Sequence, residues 1–209
     1  MSEKPADDPQ LVARLKTQDR AAFSQLVSHY HAALEGFCAS IAGASLAEDI
    51  MQDAWVAIWK GLPGFAGRSA LTTWMYTIVR NESTARLKKE GRYKQHQEPV
   101  ANEDRDFESW IESNFAADGH WLEGPARWHL DSPDAMLEEQ QLQDCLEHNI
   151  EDLKPAQQSV FRLRDIEQMS LDEICNILQL SHSNVRVLLH RARNKLLRVI
   201  DHYQETGEC

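Results

Sequence analysis

Residues 170–200, SLDEICNILQLSHSNVRVLLHRARNKLLRVI, constrain this chain more than any other stretch. Ser170 and Glu173 have the spacing of a capping box, and Leu171, Ile174 and Leu178 then recur at helical intervals. Gln179-Leu180-Ser181 breaks the pattern, and a second helix begins beyond it. In that helix Val185, Leu188, Leu189, Ala192 and Leu196 make one apolar stripe, while Ser183, Arg186, Val187, His190, Arg193 and Asn194 share the opposite face. Two helices joined by so short a turn predict a helix-turn-helix. Arg186, Arg191, Arg193, Lys195 and Arg198 meet no acid between Ser181 and Ile200. Ser181 caps the helix and its first turn holds no carboxylate, so the positive helix end stays open to a phosphate. The outer face suits DNA, with a solvated basic surface as the plainer alternative.

A net charge of -11 argues against a nucleic-acid partner until it is divided along the chain. Residues 95–152 carry 16 acidic and 2 basic groups, whereas residues 1–94 carry 10 and 12 and residues 153–209 carry 7 and 8. The acidity therefore belongs to the middle, and the basic clusters of both outer parts remain free to meet phosphates. An acidic middle segment lying across such clusters would suppress duplex binding by the free protein.

Upstream, Phe23, Leu26, Val27, Tyr30, Leu34, Phe37, Cys38 and Ile41 paint one helical stripe, with Asp19 placed to cap its start and Gly43 to end it. Ser45 and Glu48 predict a capping box for the next helix, which buries Leu46, Ile50, Met51, Ala54 and Ile58. Trp55 and Trp59 repeat one turn apart on it and are assigned to the core. Pro63-Gly64-Phe65-Ala66-Gly67 interrupts the pattern, and a helix from about Ala70 buries Leu71, Trp74, Met75, Ile78 and Val79. Residues 95–135, with Trp110, Trp121, Trp128, Pro125 and Pro133, lack sustained periodicity and read as a linker. Helices resume at about 134–152 and 155–167, ahead of the helix-turn-helix. The fold class is all-α: residues 1–94 as a helical bundle, 95–135 as an acidic linker and 136–209 as a helix-turn-helix unit.

Cys38, Cys145, Cys175 and Cys209 lie far apart without a C-x-x-C pair and are expected to be idle thiols. No metal-ligand spacing, Walker loop or nucleophile elbow occurs, so neither metal, cofactor nor catalysis is expected. No apolar run is long enough to span a membrane and the start is polar and acidic, which predicts a cytoplasmic protein. On these features alone a free-standing helix-turn-helix regulator, or an enzyme with a DNA-binding tail, stays open.

Two segments narrow the choice. AEDIMQDAWVAIWKGLPGFAGRSALTTWMYTIVRNESTARLKK, residues 47–89, and LKPAQQSVFRLRDIEQMSLDEICNILQLSHSNVRVLLHRARNKL, residues 153–196, resemble regions 2 and 4 of bacterial RNA polymerase sigma factors of the extracytoplasmic-function (ECF) type, in the sigma-70 superfamily. The resemblance implies a factor that binds core polymerase and directs initiation at specific promoters. It implies that Asp49, Gln52 and Asp53, a D-x-x-Q-D signature, grip the clamp helices of the polymerase large subunit, with region 4 meeting its flap. The spacing of the three sets them on one helical face. By the same resemblance, Phe65, Ala66, Gly67, Arg68 and Ser69 of the loop, with Thr77, Arg80, Asn81, Thr84 and Lys88 of the following helix, recognise and melt the minus-ten element. Ser181, Ser183, Asn184, Arg186, Val187, His190, Arg191 and Arg193 would then read the minus-thirty-five element of promoter DNA as a duplex. The G-H-W and P-x-x-W elements at residues 119–128 are similar to those of a subset paired with small zinc-binding anti-sigma proteins, so an anti-sigma factor is a further implied partner. The chain departs from the family at Gln179, where glycine is usual, and a left-handed non-glycine residue costs about 1 kcal/mol.

Overall fold

The computed structural model describes residue 6, residues 8–91 and residues 133–209. The linker expected at 95–135, with its tryptophans and most of the acidic segment, lies almost wholly outside them. Among the described residues there is no strand. The helices are α1 (Pro9–Lys16), α2 (Arg20–Ala42), α3 (Ala44–Gly61), α4 (Leu71–Lys89), α5 (Pro133–Glu151), α6 (Pro155–Phe161), α7 (Leu171–Leu178) and α8 (His182–Thr206). They fall into two compact units, the first holding α1 to α4 together with Asn176–Gln179 and the second α5, α6, α8 and the first part of α7.

In the first unit α2, α3 and α4 pack against one another. Leu26, Tyr30, Leu34 and Phe37 of α2 are buried together with Ile50, Met51, Ala54 and Ile58 of α3 and Leu71, Met75, Tyr76 and Val79 of α4. The Phe37 and Tyr76 rings meet edge to face at 5.1 Å. Phe23, Val27 and Ile41, at the edge of the expected α2 stripe, are only half-buried. Asp19 caps α2 as expected, accepting from the Ala21 and Ala22 amides at 2.8 and 3.2 Å. Gly43 ends that helix at φ 87° and at once begins α3. The capping box expected of Ser45 and Glu48 is therefore corrected: with Gly43 as the cap residue, Ser45 lies inside the helix, and no side chain caps its start. Asp8 caps α1, which had no expectation of its own, by accepting from the Gln10 amide at 2.8 Å.

The second unit packs α5 and α6 on α8. Ile150 and Leu153 meet Ala192 and Leu196 there, flanked by Leu146 and Phe161. A π-helical turn, Arg162–Ile166, continues α6, and the buried Arg164 guanidinium donates to the Met169 carbonyl at 2.7 Å. The expectation of idle thiols holds for Cys38 and Cys175, which are free, but not for the others: Cys145 and Cys209 are joined in a disulfide. Pairing across 64 positions depends on α5 and the end of α8 lying side by side, which residue spacing does not encode.

Gly61, the last residue of α3, lets the Trp74 ring approach so closely that a Cβ there would stand 2.8 Å from Cζ2. A Cβ on Gly64 would meet nothing within 4 Å. Gly61→Ala is thus expected to destabilise the first unit by about 1–2 kcal/mol, net of its better helix propensity, and Gly64→Ala to change stability by less than about 0.5 kcal/mol. Urea unfolding followed by circular dichroism separates the two.

Candidate functional site

Three surfaces hold the residues singled out by sequence. On α3 the inward stripe of Ala47, Ile50, Met51, Ala54 and Ile58 fixes the helix's rotation, and Asp49, Gln52 and Asp53 emerge together on the exposed side. Arg86 of α4 reaches Asp49 Oδ2 at 3.7 Å and donates to Glu90 Oε1 at 2.8 Å. Its guanidinium is held more firmly protonated by the Glu90 bond, with smaller contributions from Asp49 and Asp53. Val56, one turn beyond Asp53, is 51 % exposed, and with Phe23, Trp55, Trp59 and Arg20 it lines a shallow apolar hollow. Trp55 and Trp59 are corrected from core to half-buried rim, because Phe23 packs against them at 5.8 and 4.8 Å from the outer edge of α2. The Trp55 indole N–H donates to His31 Nδ1 at 3.1 Å.

The second surface is the loop before α4 with that helix's outer side. Ala66, Gly67, Arg68 and Ser69 are exposed, and Gly67 adopts φ 68°, a conformation that suits glycine. Phe65 differs from its neighbours and is corrected: it is only 7 % exposed, its ring 5.2 Å from that of Trp74, so it anchors the loop instead of projecting from it. Along α4, Asn81 and Lys88 are exposed and Thr77 and Arg80 half-buried. The Thr77 hydroxyl donates to the Thr73 carbonyl at 2.8 Å and Arg80 donates to Asn81 Oδ1 at 3.2 Å. Thr84 is corrected from the exposed face: at 9 % exposure it belongs to the small polar residues, Thr72, Thr73 and Ser83 among them, that let α4 pack closely into the bundle.

The third surface is built by α7 and α8. The Ser170–Glu173 capping box forms as expected, the Ser170 amide donating to Glu173 Oε2 at 2.9 Å and the Glu173 amide to Ser170 Oγ at 3.3 Å. Gln179 takes the left-handed conformation, at φ 59°, and its side-chain amide donates to the Asn176 carbonyl at 2.8 Å, offsetting part of the cost. Ser181 then caps α8 by accepting from the Asn184 amide at 3.3 Å, with no acid in the first turn. His182 Nε2 and Asp172 Oδ1, 2.7 Å apart, tie the start of α8 to α7.

Val185, Leu188, Leu189, Ala192 and Leu196 are all buried, so the predicted inner stripe of α8 is the observed one. Ser181, Ser183, Arg186 and Arg191 are exposed, and Asn184, Val187 and His190 half-buried. Arg193 breaks the expectation and is corrected. It is 4 % exposed, and its guanidinium makes two charge-assisted bonds to the Asp165 carboxylate, at 2.6 and 3.2 Å. One turn from both Leu189 and Leu196, Arg193 sits at the edge of the apolar stripe, and the π-helical turn brings Asp165 against it. Nothing in the spacing points to Asp165, 28 positions away. His190 is also altered: burial, with the charges of Arg191 and Arg193, lowers its pKa to about 4, so it is neutral near pH 7 and no phosphate-binding cation. Its ring nitrogen Nε2 is 2.9 Å from Asn194 Nδ2.

Among the described residues, no group of three or more His, Cys, Asp or Glu side chains is placed to hold a metal ion, and no helix is long and apolar enough to cross a membrane.

Two measurable consequences follow from α8. Asp165→Ala leaves the Arg193 charge buried without its carboxylate and is expected to destabilise the second unit by about 3 kcal/mol, read as a lowered unfolding midpoint. Because His190 has a lower pKa folded than its unfolded value near 6.5, the unfolded chain binds the extra proton between pH 6.5 and 4. The contribution of His190 to stability is full above pH 6.5 and is lost as pH falls toward 4; His190→Gln should flatten that part of the pH–stability curve.

Comparison with known proteins agrees with this architecture. The family model for sigma-70 region 2 matches residues 26–93 and that for sigma-70 region 4 matches residues 143–196, together more than half of the chain. The ECF RNA polymerase sigma-E factor of Escherichia coli is 26 % identical over 196 residues, covering 94 % of this chain and 95 % of that protein. The RNA polymerase sigma-H factor of Pseudomonas aeruginosa is 28 % identical over 190 residues, covering 90 % and 91 %. Among solved structures, the sigma factor RpoE in complex with the anti-sigma factor NepR from Bartonella quintana superposes with a TM-score of 0.51 at 24 % identity, covering 86 % of this chain and 96 % of that one. CnrH, in complex with the cytosolic domain of CnrY, gives 0.50 at 22 %, covering 92 % and 96 %. With regions 2 and 4 matched in order, the chain belongs to the sigma-70 family of RNA polymerase sigma factors and is of the ECF type.

Proposed function

We propose that this sigma factor divides its work as residues 1–94 for core binding and the minus-ten element, 95–135 as a tether and 136–209 for the minus-thirty-five element. Asp49, Gln52 and Asp53 dock on the clamp helices of the polymerase large subunit. Their exposure on one face of α3 supports this, since a partner meets acceptors at successive turns without unpacking the bundle. Ala66, Gly67, Arg68 and Ser69 hold an unpaired base of the minus-ten element, with Thr77, Arg80, Asn81 and Lys88 along the strand. Phe65 and Thr84 support that surface from beneath.

The observation that carries the promoter-reading role is α8. Its inner stripe is buried while Ser183 and Arg186 stand exposed beyond a helix start free of acids. In this reading Arg186 faces base edges, Ser181, Asn184 and Arg191 face phosphates, Val187 and neutral His190 make close contacts, and Arg193 holds the helix's place. The factor performs no covalent chemistry of its own and acts in the cytoplasm with polymerase. Control by an anti-sigma factor is part of the proposal, supported by the complex with the anti-sigma factor NepR in which the structural relative RpoE was solved.

Run-off transcription with core polymerase tests the reading. Arg186→Ala is expected to weaken use of a minus-thirty-five-dependent promoter by about 1–3 kcal/mol, with an unchanged unfolding midpoint. Asp49→Ala with Asp53→Ala should abolish core binding at normal helical content, since exposed carboxylates contribute little to a fold. Undiminished transcription in both cases would overturn the assignment.

A further inference from the structure

We infer that Cys145 and Cys209 form a reversible thiol–disulfide couple that sets the stability of the promoter-reading unit, resting on the function proposed above only for what that unit does. The chain reaches this bond by a defined path. Gly207, at φ 71°, ends α8 with its amide donating to the Tyr203 carbonyl at 2.8 Å, and the Glu208 amide donates to Thr206 Oγ1 at 3.1 Å. The turn brings Cys209 back alongside α5, with its Cα 5.6 Å from that of Cys145.

The two sulfurs differ in access. Cys145 is 4 % exposed whereas Cys209 is exposed, so a solvent thiolate attacks at Cys209 and Cys145 departs. The Asn149 side-chain amide, one turn along α5, donates to the Cys145 carbonyl at 3.0 Å and lies 3.7 and 3.5 Å from the Cys145 and Cys209 sulfurs. A donor placed there favours the departing thiolate. Closing the bond requires a low-molecular-weight disulfide, RSSR. The Cys209 thiolate displaces one RS⁻ from it to give a mixed disulfide, and the Cys145 thiolate then displaces the second RS⁻ from Cys209. Two protein thiols are oxidised, RSSR is reduced, and the two thiol protons end on 2 RSH. In a reducing compartment, where polymerase works, an accessible disulfide of this kind is transient and regulatory.

The bond also sits where it changes packing. The apolar contact between α5 and α8 lies at Leu146, Ile150, Leu153, Ala192 and Leu196. On the N-terminal side of that contact, α5 and the end of α8 are also joined by the disulfide and by a hydrogen bond from the Tyr203 hydroxyl to Gln141 Oε1 at 3.2 Å. Oxidation therefore clamps α5 along the last turns of the helix whose first turns carry Ser183 and Arg186. Reduction releases that end.

The test uses the full chain equilibrated in glutathione buffers of graded disulfide-to-thiol ratio, with thiols trapped by iodoacetamide and mapped by peptide mass. The Cys145–Cys209 link should form and break reversibly while Cys38 and Cys175 alkylate throughout once the chain is unfolded. The oxidised chain should unfold about 10 °C or more above the reduced one, as expected for a cross-link across a long loop in a small unit. Cys209→Ser, altering an exposed position, should fold and hold the lower midpoint in every buffer. The proposal is overturned if no such link forms with glutathione disulfide, if excess glutathione fails to open it, or if the midpoint is the same in both states. A redox-dependent midpoint without binding of minus-thirty-five duplex by holoenzyme in either state would uphold the couple and reject the promoter-reading role.

Discussion

Apolar burial along one side of each helix sets its rotation, and that rotation decides which polar residues a partner meets. On α8 the five buried positions from Val185 to Leu196 leave Ser183 and Arg186 outside. On α3 the stripe from Ala47 to Ile58 does the same for Asp49, Gln52 and Asp53. The proposed binding surfaces thus cost the fold little, because they occupy faces the core does not use. A sigma factor needs such faces, since it works by positioning polymerase and promoter and supplies no reactive group.

Charge is handled locally as well. A protein of net charge -11 approaches DNA only if its cations are segregated, and those of α8 are. Segregation has its own cost, because neighbouring arginines repel. Two features relieve it: Arg193 is drawn into a buried pair with Asp165, and His190 is kept neutral first by its burial and then by the charges of Arg191 and Arg193. The cations that remain exposed on α8 are Arg186, Arg191, Lys195 and Arg198, beside the open helix start.

Much of this was legible in the sequence. The extents of α2, α7 and α8, the caps at Asp19, Ser170 and Ser181, and the inner stripe of α8 follow from spacing, because each depends on residues within a turn or two. Gln179 was singled out only by the family resemblance, and its left-handed conformation is a finding of the structure. Most failures have another cause. Phe65 turned onto Trp74, Thr84 drawn into the bundle, Arg193 paired with Asp165 and Cys145 joined to Cys209 depend on tertiary packing, whereas the Ser45–Glu48 box failed locally, to the cap at Gly43. Residues at the edge of a stripe, such as Arg193 and Trp55, are the ones for which helical phase alone does not decide between core and surface.

The central claim is that helical phase selects the partner-facing residues, and site-directed cross-linking in the assembled holoenzyme–promoter complex tests it most directly. Single cysteines carrying a short photo-cross-linker, placed at positions 52, 183, 186 and 198 of a chain otherwise lacking exposed thiols, sample these faces. The account predicts linkage of position 52 to the polymerase large subunit and of 183 and 186 to minus-thirty-five DNA. Linkage to that DNA from 198 with none from 183 or 186 would contradict it.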